Sequence, residues 1–150
     1  MTSKAAVDGF VAERTLAIVG VSRSGKKFGN AMLKELSAKG YRMLPVHHEV
    51  PTIDEFQTAP SLAALPEKPG GVVVVVPPAR ALQVVRDAHA AGIMRVWLQQ
   101  GAGSPDAIRY CEEQGMSVVH GECLLMFTEP AGFMHRAHRW VWNVIGKLPK

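Results

Sequence analysis

Ser22, Arg23, Lys26 and Lys27 bring four anion-binding side chains into a stretch of six residues. They lie in the run LAIVGVSRSGKKFGN, residues 16–30, where an apolar strand ends at Gly20 and a helical pattern begins near Lys27. In a doubly wound parallel sheet such a turn lies at the carboxyl edge, where ligands bind. The N–H groups and dipole at the start of the following helix attract negative charge. The segment therefore points to a phosphate-bearing ligand. Gly20 is expected to let the backbone approach a pyrophosphate, so a side chain there would take the ligand's space.

Two familiar phosphate loops do not fit. Gly20–Lys27 reads G-x-x-x-x-G-K-K, but the last position of a magnesium-nucleotide loop is a Ser or Thr hydroxyl that reaches the metal, and Lys27 cannot do this. The apolar run at Val72–Val76 ends in Pro77-Pro78, with no Asp for the second magnesium contact. A dinucleotide loop needs G-x-G-x-x-G and an acidic residue after the second strand, whereas this chain has Ser22 at the second glycine and Val46-His47-His48 after that strand. Histidines there suit an additional phosphate better than a ribose diol. The pattern fits an anionic, adenine-containing ligand that is neither NAD nor ATP–magnesium.

The elements that position this loop are legible in hydrophobic patterning. Thr15–Val19, Arg42–Val46, Val72–Val76, Arg95–Leu98 and Ser117–His120 are short aliphatic runs bounded by Gly or Pro, as strands are. Unbroken apolar runs such as VVVVV suit parallel strands covered on both faces. Lys27–Lys39, Ala79–Ala91 and Pro105–Gln114 carry helical spacing, the last with Ser104 as N-cap and Pro105 at the first helical position. The alternation predicts an α/β fold, a Rossmann-like doubly wound parallel sheet in a single domain over residues 1–150. The expected strand order is 3-2-1-4-5-6, with a short third strand near Glu55–Gln57 inside the proline-rich stretch Glu49–Pro69, and a helical turn near Ser61–Leu65. A C-terminal helix, Phe133–Leu148, is added to a core spanning about residues 10–128; Phe133, Ala137, Trp140, Val144 and Leu148 share its apolar face.

Composition narrows the class. The chain has 150 residues, 47% hydrophobic and 20% charged, as a globular domain does. No apolar run approaches the ~18 residues of a membrane helix. No signal peptide is visible at Met1–Phe10, and the two cysteines, Cys111 and Cys123, form no C-x-x-C, so a reducing cytoplasm is the expected compartment. The net charge of +4 is modest and no Lys/Arg run is interleaved with aromatics, so nucleic acid is not an expected partner.

Taken in order, LAIVGVSRSGKKFGN, the strand ending PVH, VVVVVPPARA, RVWLQQGA and GMSVVHGECLL resemble the small single-domain CoA-binding proteins, which are similar to the N-terminal domain of the succinyl-CoA synthetase alpha subunit. The resemblance covers about residues 10–128 in order and spacing. It implies coenzyme A or an acyl-CoA as ligand. The phosphates would be held by Gly20, Ser22, Arg23, Lys26, Lys27, Phe28 and Gly29, with His47 nearby, and Pro77, Pro78 and Arg80 would border the nucleotide. The family often has Asn-Pro where His47-His48 stands.

The residues point away from catalysis. The phosphorylated histidine of the synthetase belongs to a second domain, which is not expected within these 150 residues. Where the synthetase pattern has a carboxylate, this chain has Gln99-Gln100-Gly101, and amides cannot act as a general base, so Gln99 is expected to line the cleft by hydrogen bonding. Cys123 follows the last strand, flanked by His120 and Glu122, but no triad is fixed, and Cys111 falls on the core face of its helix. His135 and His138 lack a third metal ligand and read as a polar flank of the last helix. Trp97 is expected in the core or the cleft wall. Trp142 lies off the apolar stripe and is expected to anchor a weak homodimer. The sequence thus predicts a CoA-binding protein without catalysis of its own; an NADP-dependent small oxidoreductase and a nucleotide-sensing regulatory subunit are the alternatives.

Overall fold

The structure is a computed structural model and describes residues 3–128. In chain order its elements are α1 (Lys4–Val11), β1 (Thr15–Val19), α2 (Phe28–Ala38), β2 (Arg42–Val46), β3 (Thr52–Ile53), β4 (Phe56–Gln57), β5 (Gly71–Val74), α3 (Pro78–Ala90), β6 (Arg95–Gln99), α4 (Pro105–Glu113) and β7 (Ser117–Glu122), with 3-10 turns at Leu62–Ala64 and Leu124–Met126. Five strands form one parallel sheet in the order β2-β1-β5-β6-β7. Helices cover both faces, which makes the fold α/β and Rossmann-like. The main strands and helices lie where the hydrophobic patterning places them.

Alternation along the strands divides the core. Leu16, Ile18, Val73, Trp97 and Val119 face one side, where they meet Met32, Leu33 and Leu36 of α2 and Val7 and Phe10 of α1. Ala17, Val72, Val74, Val96 and Leu98 face the other, against α3 and α4. Each central strand is therefore apolar on both faces because both faces are packed. Trp97 is fully buried, so it belongs to the core and not to a cleft wall. Its indole Nε1 donates to the Glu122 carbonyl at 3.1 Å, and its ring packs at 5.4 Å from Phe10.

Two features depart from the sequence-based expectation. The residues near Glu55–Gln57 are not a third strand of the sheet: β3 and β4 pair with each other as a small antiparallel hairpin. The chain reverses at Asp54, whose φ of 53° lies in the left-handed region that Asp tolerates in turns. The segment pairs with the sheet edge through Ala59, in a single parallel bridge to Val46. The second departure is α1, which sequence patterning passes over. It has eight residues, with Gly9 among them, but the Ser3 hydroxyl caps it by accepting the Ala6 N–H at 3.1 Å. The expected helix Phe133–Leu148, with His135, His138, Trp140 and Trp142, lies outside the described residues.

α1 can dock because Gly71 has no side chain. A Cβ there would stand 2.6 Å from the Phe10 ring. Gly71→Ala should therefore lower unfolding free energy by roughly 1–3 kcal/mol, the usual cost of overpacking. Combining it with Phe10→Leu should recover part of the loss in denaturant titration; equal stability of Gly71→Ala and wild type would show that α1 does not pack here.

Cys111 lies in the α3–α4 layer, fully buried. Burial, reinforced by the charge of Glu112, raises its thiol from 9.0 to about 11. The folded state therefore holds this proton longer than the unfolded state. The contribution is full below about pH 9 and is lost as pH rises through about 11. Stability measured across that range should fall less steeply in Cys111→Ala than in wild type.

Candidate anion-binding cleft

The chain reverses its direction of winding between β1 and β5, and the crevice at their carboxyl ends is where an open α/β sheet receives ligands. β1 ends at Val19, and Gly20 turns the chain with φ 119°. A Cβ on Gly20 would lie 2.1 Å from the Val75 carbonyl oxygen, so neighbouring backbone, not a ligand, excludes a side chain here. A Cβ on Gly29 would stand 2.5 Å from the Gly20 carbonyl oxygen, so α2 seats directly on the end of β1.

The loop between them is pinned from below. Asn30 is 1% exposed; its Oδ1 accepts the Ser22 N–H at 2.8 Å and its Nδ2 donates to the Ser22 carbonyl at 2.9 Å. The same carbonyl accepts the Gly25 N–H at 3.1 Å, and the Ser22 hydroxyl accepts the Ser24 N–H at 3.2 Å. Ser22 is thus tied into the turn through its N–H, carbonyl and hydroxyl. The opposite holds at the start of α2. Lys27 is its N-cap in extended conformation, and the lysine side chain makes no capping bond. The Asn30 N–H turns back to the Lys27 carbonyl at 3.0 Å, and no side chain caps the start of α2 as Ser104 caps α4.

These elements rim a cleft of about 590 Å³. Of the residues singled out from sequence, Gly20, Ser22, Arg23, Lys27, His47 and Arg80 line it together. Lys26, Phe28, Gly29, Pro77, Pro78 and Gln99 are not among its lining residues. Phe28 is half exposed at the start of α2, Gly29 lies beneath the loop, and Pro77-Pro78 form the N-cap and first residue of α3. Gln99 is buried, and its Oε1 accepts the Leu124 N–H at 3.0 Å, which holds the end of β6 to the turn after β7.

Sequence reasoning missed several wall residues. Gln83, Val84 and Asp87 join Arg80 on the cleft side of α3. Counting three, four and seven residues on from Arg80 along a helix would have found all three. His48 and Glu49 follow His47, and Pro60 and Ser61 follow the Ala59 bridge. Asn30 closes the motif run and gave no signal, because its role is buried hydrogen bonding.

The electrostatics are mixed. Arg23, Lys27 and Arg80 supply three cationic side chains, and Glu49 and Asp87 two carboxylates. The Arg23 guanidinium meets Glu49 Oε2 at 3.3 Å, and His48 Nε2 meets Glu49 Oε1 at 3.0 Å. The His47 Nδ1 accepts the N–H groups of Glu49 at 3.1 Å and Val50 at 3.3 Å. The neutral ring therefore carries its proton on Nε2. The His47 and His48 rings stack at 5.3 Å with their planes 3° apart.

At the far end of the sheet edge, Cys123 is buried. Burial raises the Glu122 carboxyl and lowers the His120 imidazole from their usual ranges. Among the described residues, no group of three His, Cys, Asp or Glu is placed to hold a metal ion, and no helix is long and apolar enough to cross a membrane.

Known structures share this architecture. A conserved hypothetical protein from Pyrococcus furiosus is 37% identical, with a TM-score of 0.70 over 74% of this chain and 96% of its own. A binding-redesigned protein, known as Prb, is 27% identical with a TM-score of 0.77, covering 85% of this chain and 89% of that one. The dinucleotide-forming acetyl-coenzyme A synthetase 1 of Ca. Korarchaeum cryptofilum shares the fold at 22% identity and a TM-score of 0.62, over 71% of this chain and 25% of the synthetase. Residues 14–129 match the model of a family described as the CoA binding domain, and the chain belongs to that family.

Proposed function

We propose that the protein binds coenzyme A or an acyl-CoA in the cleft between β1 and β5, and that it does so without catalysis of its own. The observation that carries this reading is the convergence, in a member of the CoA binding domain family, of Arg23, Arg80, His47 and Lys27, the N-cap of α2, around one crevice. Its size falls within the ~300–1,000 Å³ usual for small-molecule sites. Lys27, at the N-cap of α2, meets the pyrophosphate, while Arg23, Arg80 and the His47 Nε2–H are the candidate partners of the 3′-phosphate. Lys26 and Phe28, at the loop's outer side, act on the ligand's approach. The protein works as a carrier, sensor or regulatory subunit in the cytoplasm, where Cys111 and Cys123 stay reduced.

Calorimetric titration with CoA, dephospho-CoA, NADP⁺ and ATP tests the assignment. CoA should bind most tightly, and should exceed dephospho-CoA by about 1–3 kcal/mol, the worth of charge-assisted hydrogen bonds. That margin should shrink in Arg23→Ala, Arg80→Ala or His47→Ala, whichever meets the 3′-phosphate. Tighter binding of NADP⁺ would favour the oxidoreductase alternative, and equal affinity for CoA and dephospho-CoA would remove the 3′-phosphate contact. Gly20→Val is unsuitable as a binding test, because its side chain would strike Val75 and damage the fold.

The weak homodimer through Trp142 completes the reading. Sedimentation over a concentration series should show reversible association that weakens in Trp142→Ala; a monomer at all concentrations overturns it.

A further inference from the structure

The cleft holds a negative group of its own. Glu49 follows the two stacked histidines, and its carboxylate sits among the cations that the proposed ligand would use. One oxygen meets the Arg23 guanidinium at 3.3 Å and the other meets His48 Nε2 at 3.0 Å. A local bond fixes the backbone at this residue: the Glu49 N–H donates to His47 Nδ1 at 3.1 Å. Farther along the same segment, Lys34 of α2 pairs with Asp54 at 3.5 Å. The segment is therefore also tied to α2, by a pair that does not involve the cleft cations.

We propose that Glu49 is a built-in competitor for the anion site: its carboxylate holds Arg23 in the place of a ligand phosphate, and an incoming phosphate must displace it. The proposal rests on the binding reading above and adds a residue that sets its strength and selectivity. A carboxylate and a phosphate oxygen offer a guanidinium the same kind of acceptor. The Arg23 side chain is 70% exposed and that of Glu49 50%, so the pair is a weak surface bridge that a more highly charged anion can open. A weakly charged ligand cannot repay the broken pair, which biases the cleft toward polyanions.

The test compares wild type with Glu49→Gln, which keeps shape and removes charge, and with Glu67→Gln. Glu67 pairs with Arg42 outside this cleft and controls for net charge. The probes are CoA and inorganic pyrophosphate, titrated by calorimetry at low and high salt. Glu49→Gln should bind both anions roughly two- to fivefold more tightly at low salt, the scale of an exposed ion pair. The gain should fade at high salt, be absent in Glu67→Gln, and shrink when Arg23→Gln is already present. No gain with either anion in a variant that unfolds at the wild-type temperature overturns the competitor role. So does an equal gain in Glu67→Gln. A gain with pyrophosphate but no binding of CoA keeps the role of Glu49 and overturns the CoA reading instead.

Discussion

Two hydrogen bonds between the Asn30 amide and the Ser22 backbone hold the ligand edge of this domain in place. The amide is buried, so either bond left unmade would cost about 1–3 kcal/mol, the penalty of an unsatisfied buried polar group. Asn30 belongs to α2, and α2 is seated against β1 through the close approach of Gly29 to Gly20. The helix, the turn and the strand end are therefore packed as one unit. The placement of Arg23 and Lys27 at the cleft follows from that unit.

The framework and the chemistry are built from different residues. Gly20, Gly29 and Asn30 are packed against backbone and fix shape. Arg23, Glu49 and His48 are largely exposed and fix charge. Exposed side chains contribute little to stability, usually within about 0.5 kcal/mol on substitution. The preference of the cleft for one anion over another can thus be altered at its rim while the sheet below is unaffected.

Most of the fold was legible because parallel strands and their covering helices advertise themselves by period and by terminators. The VVVVV run, the Ser104-Pro105 helix start and the Gly20 turn each carry a local cause. What escaped depends on partners distant in sequence. α1 is short and is fixed by the Phe10–Trp97 contact across the sheet face. The third strand was misplaced because the backbones of β3 and β4 pair with each other as a hairpin, leaving the bridge to the sheet edge to Ala59. In the cleft, Arg23, Lys27 and His47 could be read from charge and position. Gln99 could not, since its amide turns to the Leu124 N–H. Glu49 was invisible as a site residue because an acidic side chain argues against a phosphate unless its pairing with Arg23 is seen.

The Ala59 bridge bears on association. β2 is an outer strand of the sheet, and such strands invite pairing with another chain. The Pro45 carbonyl accepts the Ala59 N–H at 3.1 Å, so it points outward, and the missing Pro45 N–H points the same way. The proline costs the sheet no ladder bond and denies an incoming strand a donor. Ala59 also takes the next outward donor, the His47 N–H, at 2.9 Å. A single residue and a ring nitrogen without hydrogen thereby close the upper half of this edge to strand addition. Copies of the chain are discouraged from joining their sheets there, and the protein can be concentrated with less risk of edge-to-edge aggregation.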